Sequence, residues 1–395
     1  MHPMNPTARQ RSPAVLVYAA RRALILLAIA CLALNACSPS DRDADAPLPP
    51  KSSAEVPSTL NKHTRPPEMP PGVVRLEGAP EEIGRQHGSR LTAQIRLMVG
   101  EYVGDDMESG RLKEDVLKRV RTMKPSLPDW YRQELSACAK AAGIDEDVLL
   151  YAQCEGDIKS LGGCNSFVAF GPATHDGKME IGRNFDYWGI ESTDKVVTVL
   201  AVVPRSEDGY AFVSVGWCGI LGGWTFFNEK GLYVSNNLGG FYATDPRGVP
   251  TLILERIIAQ KAATVDEAVA IIRKTPRMRG QALVIGQAGN GRSVAPGAVV
   301  VLYDGKRVEV TPAENGLAFH SSIGTDPQRL LRMLQRPNRR PMDVIKSAGN
   351  GITLHSVAIR PAEHALWVAH GRKPGAHLGE YVRYDLRSLL ERRPK

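Results

Sequence analysis

Four cysteines lie in the body of this chain, at positions 138, 154, 164 and 218, and one of them is placed for chemistry. Cys164 follows Gly162-Gly163 and opens an apolar run. Gly163 has no side chain to restrict its backbone, so its carbonyl can bend toward a neighbouring thiol at low steric cost. Attack by that thiol gives an ester-like intermediate, and water then releases a new N-terminus at Cys164. An α-amine has a pKa near ~7.7–8.0, so a useful fraction is neutral at pH 7. It can take the proton of its own residue's thiol with no histidine involved. The competing reading of Cys164 is an ordinary buried strand cysteine. Cys154 falls within a helical stretch without a small residue before it, and Cys218 sits between Trp217 and Gly219 as a packing position. Cys138 and Cys154, on neighbouring helices, form a candidate disulfide pair that the spacing leaves open. The chain has no Cys-x-x-Cys and no His/Cys cluster at zinc spacing, so neither a metal nor a cofactor is expected.

Positioning a nucleophile at Cys164 requires a strand there and a partner strand beside it. Asn165–Phe170 and Met179–Asn184 flank His175-Asp176-Gly177, and Asp-Gly is a strong hairpin signal. Short apolar runs continue at 196–203, 210–215, 224–227 and 232–236. Helical patterns follow at 251–261 and 265–274, the second opened by the capping box Thr264-Val265-Asp266-Glu267. Strands resume at 282–286, 299–303 and 308–311. A helix at 327–334 precedes final strands around 352–359, 365–368 and 381–384. Before Cys164 the chain reads as a short strand at 73–77 followed by helices over 80–103, 112–123 and 128–142, then one capped by Asp145. Consecutive hairpins give antiparallel sheets that two helix clusters can cover, so the fold class is layered α+β.

The 395 residues are 43% hydrophobic and 23% charged, a composition that excludes collagen-like, coiled-coil and wholly disordered chains. The net charge of +8 includes Arg9, Arg11, Arg21 and Arg22, which lie in a first segment without acids. Without them 46 basic residues face 42 acidic ones with no long basic run, so no nucleic-acid partner is expected. Arg21-Arg22 and the apolar run Ala23–Ala36 describe an export signal too short for a comfortable transmembrane span. Its end, Leu34-Asn35-Ala36-Cys37, resembles the lipobox of bacterial lipoproteins, in which the cysteine takes the lipid. Residues 1–36 are thus expected as signal peptide and Cys37 as the lipidated anchor. Residues 37–72, with nine prolines and no aromatic, are expected as a flexible tether. Ser38 after that cysteine favours, by the same resemblance, the outer membrane, with the body facing the periplasm or exterior.

Three further motifs accompany Gly163-Cys164-Asn165-Ser166-Phe167. They are Gly182-Arg183-Asn184-Phe185-Asp186-Tyr187, Asn228-Glu229-Lys230-Gly231-Leu232, and Asn237. In this order they resemble the N-terminal-nucleophile hydrolases, in particular the acyl-coenzyme A:6-aminopenicillanate acyltransferase-like branch, related to choloylglycine hydrolases and acid ceramidase. The resemblance implies a four-layer αββα sandwich over 164–395, preceded by a helical propeptide-like segment over 73–163 that stays associated after cleavage between Gly163 and Cys164. It implies Cys164 as nucleophile, its α-amine as base, Asp186 orienting that amine and Arg183 against the thiol. Asn237 would donate to the oxyanion, with Asn236 as its alternative, and Arg329 matches an arginine the family places near the site. Against these roles stand a structural Arg183–Asp186 ion pair, a strand-closing Asn237 and a helix-surface Arg329. One departure is plain: where this branch reads His-Thr-Asn-His-Phe, the chain has His320-Ser321-Ser322-Ile323-Gly324, so a substrate or oxyanion contact is altered at Ser322.

The activity implied is hydrolysis of a linear amide of a small N-acyl compound through an acyl thioester. Alternatives are acyl transfer on the same fold, a cysteine hydrolase assisted by His320 or His355, and a non-catalytic lipoprotein that binds an acylated ligand.

Overall fold

Asp176-Gly177 turns the chain between the two strands that carry the candidate nucleophile and its arginine. Gly177 sits at φ 71°, where a side chain would be strained. The structure, a computed structural model, describes residues 73–108, 110–159, 163–187, 192–289, 291, 293–371 and 375–392. Residues 1–36, expected as signal peptide, and 37–72, expected as lipidated cysteine and tether, lie outside the described residues.

The first described part contributes β1 (Val74–Gly78) and the helices α1 (Pro80–Arg90), α2 (Thr92–Glu108), α3 (Gly110–Met123), α4 (Asp129–Ala142), α5 (Glu146–Ala152) and α6 (Glu155–Lys159). The helix expected over 80–103 is two helices, because Leu91 leaves helical geometry at φ −121°, ψ 24°. The Asp145 carboxylate caps α5 by accepting from the Asp147 and Val148 N–H groups. Next come β2 (Gly163–Gly171), β3 (Gly177–Asp186), α7 (Thr193–Val196), β4 (Val197–Pro204), β5 (Phe212–Trp217), β6 (Thr225–Asn228) and β7 (Leu232–Asn237). They are followed by α8 (Thr251–Lys261), α9 (Val265–Lys274), β8 (Gln281–Gln287), β9 (Gly297–Tyr303), β10 (Val308–Pro312) and β11 (Leu317–Ser321). The chain closes with α10 (Pro327–Leu334), α11 (Pro341–Ala348), β12 (Thr353–Arg360), β13 (Ala365–His370), β14 (Val382–Asp385) and α12 (Leu386–Leu390). The elements α6, α7, β11, α11 and α12 had no expectation in the sequence.

One sheet runs β1-β4-β5-β6-β7-β8-β9-β10 and the other β11-β2-β3-β12-β13-β14. Among the described residues, every pairing of strands within the two sheets is antiparallel except that of β1 with β4, which is parallel. The sheets are antiparallel as expected apart from this one pairing: six helices, α1 to α6, follow β1 before β2, a connection long enough for a parallel crossover. The apolar side chains sort by face. Val168, Ile181, Val284, Val357 and Ile359 meet between the sheets. Leu283 and Ile285 face the layer of α1, α2, α4, α5, α8 and α9. Phe167, Ala169 and Ala358 face α10 and α11. The result is an αββα stack.

Register then decides which chemistry is inside. Cys164 pairs with Phe185 and Ser166 with Arg183, so all four share the inner face with Val168 and Ile181. A slip of one residue would turn all four outward.

Candidate active site

Cys164 lines a narrow cavity of about 40 Å³ with Gly163, Phe185, Asp186, Asn236 and Asn237. Tyr102, Tyr187 and Trp224 complete an aromatic wall. Tyr102 comes from α2, so the first helical part helps build the site. Phe185 packs against Trp224 at 4.8 Å between ring centres, and Trp217 backs both Tyr102 and Tyr187 edge-on.

Arg183 is fully buried, and its Nη2 lies 3.4 Å from the Cys164 sulfur. The same guanidinium donates to the carbonyl of Asn236 and, at 3.2 Å, to its Oδ1. Burial pushes the Cys164 thiol up, while the Arg183 charge opposes that shift by favouring the thiolate. Asn237 lies on β7 of the opposite sheet and lines the cavity; its Nδ2 donates to Ser166 Oγ at 2.7 Å, and its Oδ1 has no partner among the described residues.

Asp186 lies opposite Gly163 in the β2–β3 register. Its oxygens accept from Thr353 Oγ1 at 2.6 Å and Asn350 Nδ2 at 2.8 Å, two partners the sequence did not reveal. Burial raises the Asp186 carboxyl to about 6, with these two hydrogen bonds and Arg183 opposing. An acid whose pKa is higher in the native state binds its proton more tightly there than in the unfolded chain. Its contribution therefore makes stability fall as pH rises from the ordinary carboxylate range through about 6. Urea midpoints from pH 4 to 7 should show that decline, and Asp186→Asn should flatten part of it. An unchanged slope in the variant would contradict the assignment.

Ser322 is placed on the nucleophile's own backbone. Its Oγ accepts from the Cys164 N–H at 2.8 Å and donates to the Cys164 carbonyl at 3.0 Å, and its N–H donates to that carbonyl as well. Gly163 is confined by the same loop: a β-carbon there would come within 2.8 Å of Ile323 Cγ2. Arg329 lies outside the Cys164 cavity. It lines a second cavity of about 340 Å³ with Asp326 and Asn350, the latter also being the donor to Asp186.

The histidines take other places. His355 stacks on Phe185 at 4.9 Å. The register Cys164–Phe185–His355 puts it two strands from the nucleophile, about 10 Å away, with the phenyl ring between. Burial pushes its pKa well below the usual range, so the ring is neutral. His320 bonds the Leu238 carbonyl at 3.0 Å. Cys138 and Cys154 are both free and buried, so the candidate disulfide is not formed. Asn165 and Asn184, on the outer face, donate to the Ala348 and Ile345 carbonyls and pin α11 to the sheet.

Residues 173–302 match the family described as acyl-coenzyme A:6-aminopenicillanic acid acyl-transferase. That span holds Arg183, Asp186, Asn236 and Asn237. An uncharacterised protein of Archaeoglobus fulgidus is 26% identical over 252 residues, 56% of this chain and 42% of that protein. The 40 kDa form of acyl-coenzyme A:6-aminopenicillanic-acid-acyltransferase from Emericella nidulans is 22% identical over 225 residues, 54% of this chain and 60% of that protein. The chain thus spans about half the length of the curated relatives it matches. Among solved structures, the Caenorhabditis elegans orthologue of N-acylethanolamine-hydrolyzing acid amidase is 18% identical with TM-score 0.40, covering 50% of this chain and 93% of that one. Penicillin V acylase from Agrobacterium tumefaciens is 14% identical with TM-score 0.36, covering 53% and 84%. A variant of conjugated bile acid hydrolase from Clostridium perfringens is 10% identical with TM-score 0.39, covering 57% and 93%.

Proposed function

We propose that the protein is a self-processing cysteine amidohydrolase acting on linear amides of small N-acyl compounds. The observation that carries this reading is the convergence of Cys164, Asp186 and Asn237, drawn from strands of two sheets, on one cavity, with the buried Arg183 guanidinium 3.4 Å from the Cys164 sulfur.

Maturation begins when the Cys164 sulfur attacks the Gly163 carbonyl. The C–S bond forms, the C–N bond breaks and the nitrogen takes the thiol proton. Water then cleaves the thioester, leaving a carboxylate on Gly163 and a free α-amine on Cys164. In turnover that amine accepts the thiol proton and the thiolate attacks the substrate carbonyl. The oxyanion is met by a side-chain N–H of Asn237, the proton passes to the leaving amine, and water hydrolyses the acyl thioester. Arg183 favours the thiolate, and Ser322, already on the Cys164 nitrogen, orients the amine together with Asp186. Arg329 and the second cavity serve the part of the substrate beyond the scissile bond. The reading keeps Cys37 as a lipid anchor on the outer membrane; among the described residues no helix is long and apolar enough to cross a membrane.

A panel of N-acyl amides offered to the mature protein, with released amine quantified, tests the reading; no release from any member would end it. Asn237→Ala should lower kcat about 100–1000-fold, the usual cost of one oxyanion donor. A kcat within twofold of wild type would remove Asn237 from that role.

A further inference from the structure

Glu255, on α8, is completely buried, and neither carboxyl oxygen has a hydrogen-bond partner among the described residues. It belongs to no step above. Across from it lies Arg183, whose Nε likewise lacks a partner among the described residues. Asn236 stands between them. Its carbonyl and side-chain oxygen accept from Arg183, and its N–H faces Glu255 without closing a hydrogen bond. A buried guanidinium with no carboxylate bonded to it has its charge available to whatever anion forms nearby. Three groups draw on that charge: the Cys164 sulfur at 3.4 Å, the Asp186 carboxyl and the Glu255 carboxyl.

We propose that Glu255 is a positioning residue for the Cys164 nucleophile that acts through Arg183. As a neutral acid it leaves the guanidinium charge to the sulfur, and on losing its proton to solvent it draws that charge away and disfavours the thiolate. This rests on the reading of Cys164 as nucleophile. The other charged and titratable groups facing Glu255 are Asp157 from α6, Tyr233 from β7 and Tyr303 from β9. Burial pushes the Glu255 carboxyl well above its ordinary range, with Arg183 opposing and Asp157 adding to the shift, so the neutral form persists where an exposed glutamate is ionised.

The test is the rate of Cys164 alkylation by iodoacetamide from pH 5 to 10, read on the Cys164 peptide by mass spectrometry. Wild type and Glu255→Gln are compared, and no substrate is needed. Two coupled ionisations should spread the wild-type profile beyond a single titration. The isosteric glutamine, always neutral, should narrow the profile, with Asp186 and the Cys164 α-amine titrating in both proteins, and lower its midpoint by about one pH unit, a roughly tenfold gain in thiolate at fixed pH. Superimposable profiles would overturn the role of Glu255 while leaving the nucleophile in place. A wild-type profile that fits one ionisation would do the same even if the variant failed to fold. No labelling of Cys164 at any pH would instead bring down the nucleophile reading, and the inference with it.

Discussion

Cys164→Ala is expected to abolish amide turnover and to leave the chain unbroken. Removing a nucleophile that works as a unit with its base lowers kcat by about 10⁵–10⁶-fold. No other thiol can substitute: Cys138, Cys154 and Cys218 are buried, and burial pushes all three thiols up, Cys218 to about 12. The fold should survive. Alanine fits the inner-face position, and Arg183 keeps its two bonds to Asn236. Intact mass is the first readout. Wild type should give residues 37–163 and 164–395, about 14 and 25 kDa at the chain's mean residue mass before any lipid, and the variant one chain. Two pieces from the variant would mean that another agent cuts the chain. Turnover at the wild-type rate would mean that another residue attacks the amide.

Glu134→Ala should give the largest loss of stability. Arg256 from α8 grips Glu134 from α4 with two bonds, Nη1–Oε1 at 3.0 Å and Nη2–Oε2 at 2.7 Å, both side chains 2% exposed. The guanidinium also donates to Leu221 O and Gln260 Oε1 and lies over the rings of Phe212 and Trp130. Truncating the glutamate strands a buried cation, which costs about 3–5 kcal/mol. A urea midpoint would register this as a large fall. Replacing the pair together, with Arg256→Met beside Glu134→Ala, should restore most of it, since an apolar pair pays no desolvation. A single-variant loss under about 1 kcal/mol would show that the pair does not fasten the helical part to the body. The bridge also bears on maturation. With β1 paired to β4 and Gln153 accepting from the Leu221 N–H, it ties 73–159 to the later strands, so two cleaved chains should remain one folded unit.

Much of the local structure was legible. The helices at 251–261, 265–274 and 327–334 coincide with their expected spans; the last two start at side-chain caps next to the backbone they serve, Thr264 accepting from the Glu267 N–H and Asp326 from the Gln328 N–H. The Asp-Gly turn, the strands on either side of it and the singular position of Cys164 after two glycines were equally local. Resemblance of short motifs supplied Arg183, Asp186 and Asn237; the last two line the Cys164 cavity and Arg183 meets the Cys164 sulfur.

What the chain order could not reveal is which distant groups complete those residues. Asn350 and Thr353 reach Asp186 from 164 and 167 residues away, Ser322 meets Cys164 across 158, and Glu255 approaches Arg183 from a helix on another layer. Each such contact depends on strand register and on the stacking of two sheets, where no periodicity or spacing carries information. The sequence determined the turns, caps, amphipathic faces and the cysteine with a bendable carbonyl before it, all set by neighbours within a few bonds. Tertiary structure alone decided the free state of Cys138 and Cys154, the parallel entry of β1, the separation of His355 from the sulfur by Phe185, and the placing of Arg329 beside a second cavity. Those outcomes follow from which surfaces come to lie against one another once apolar faces are buried.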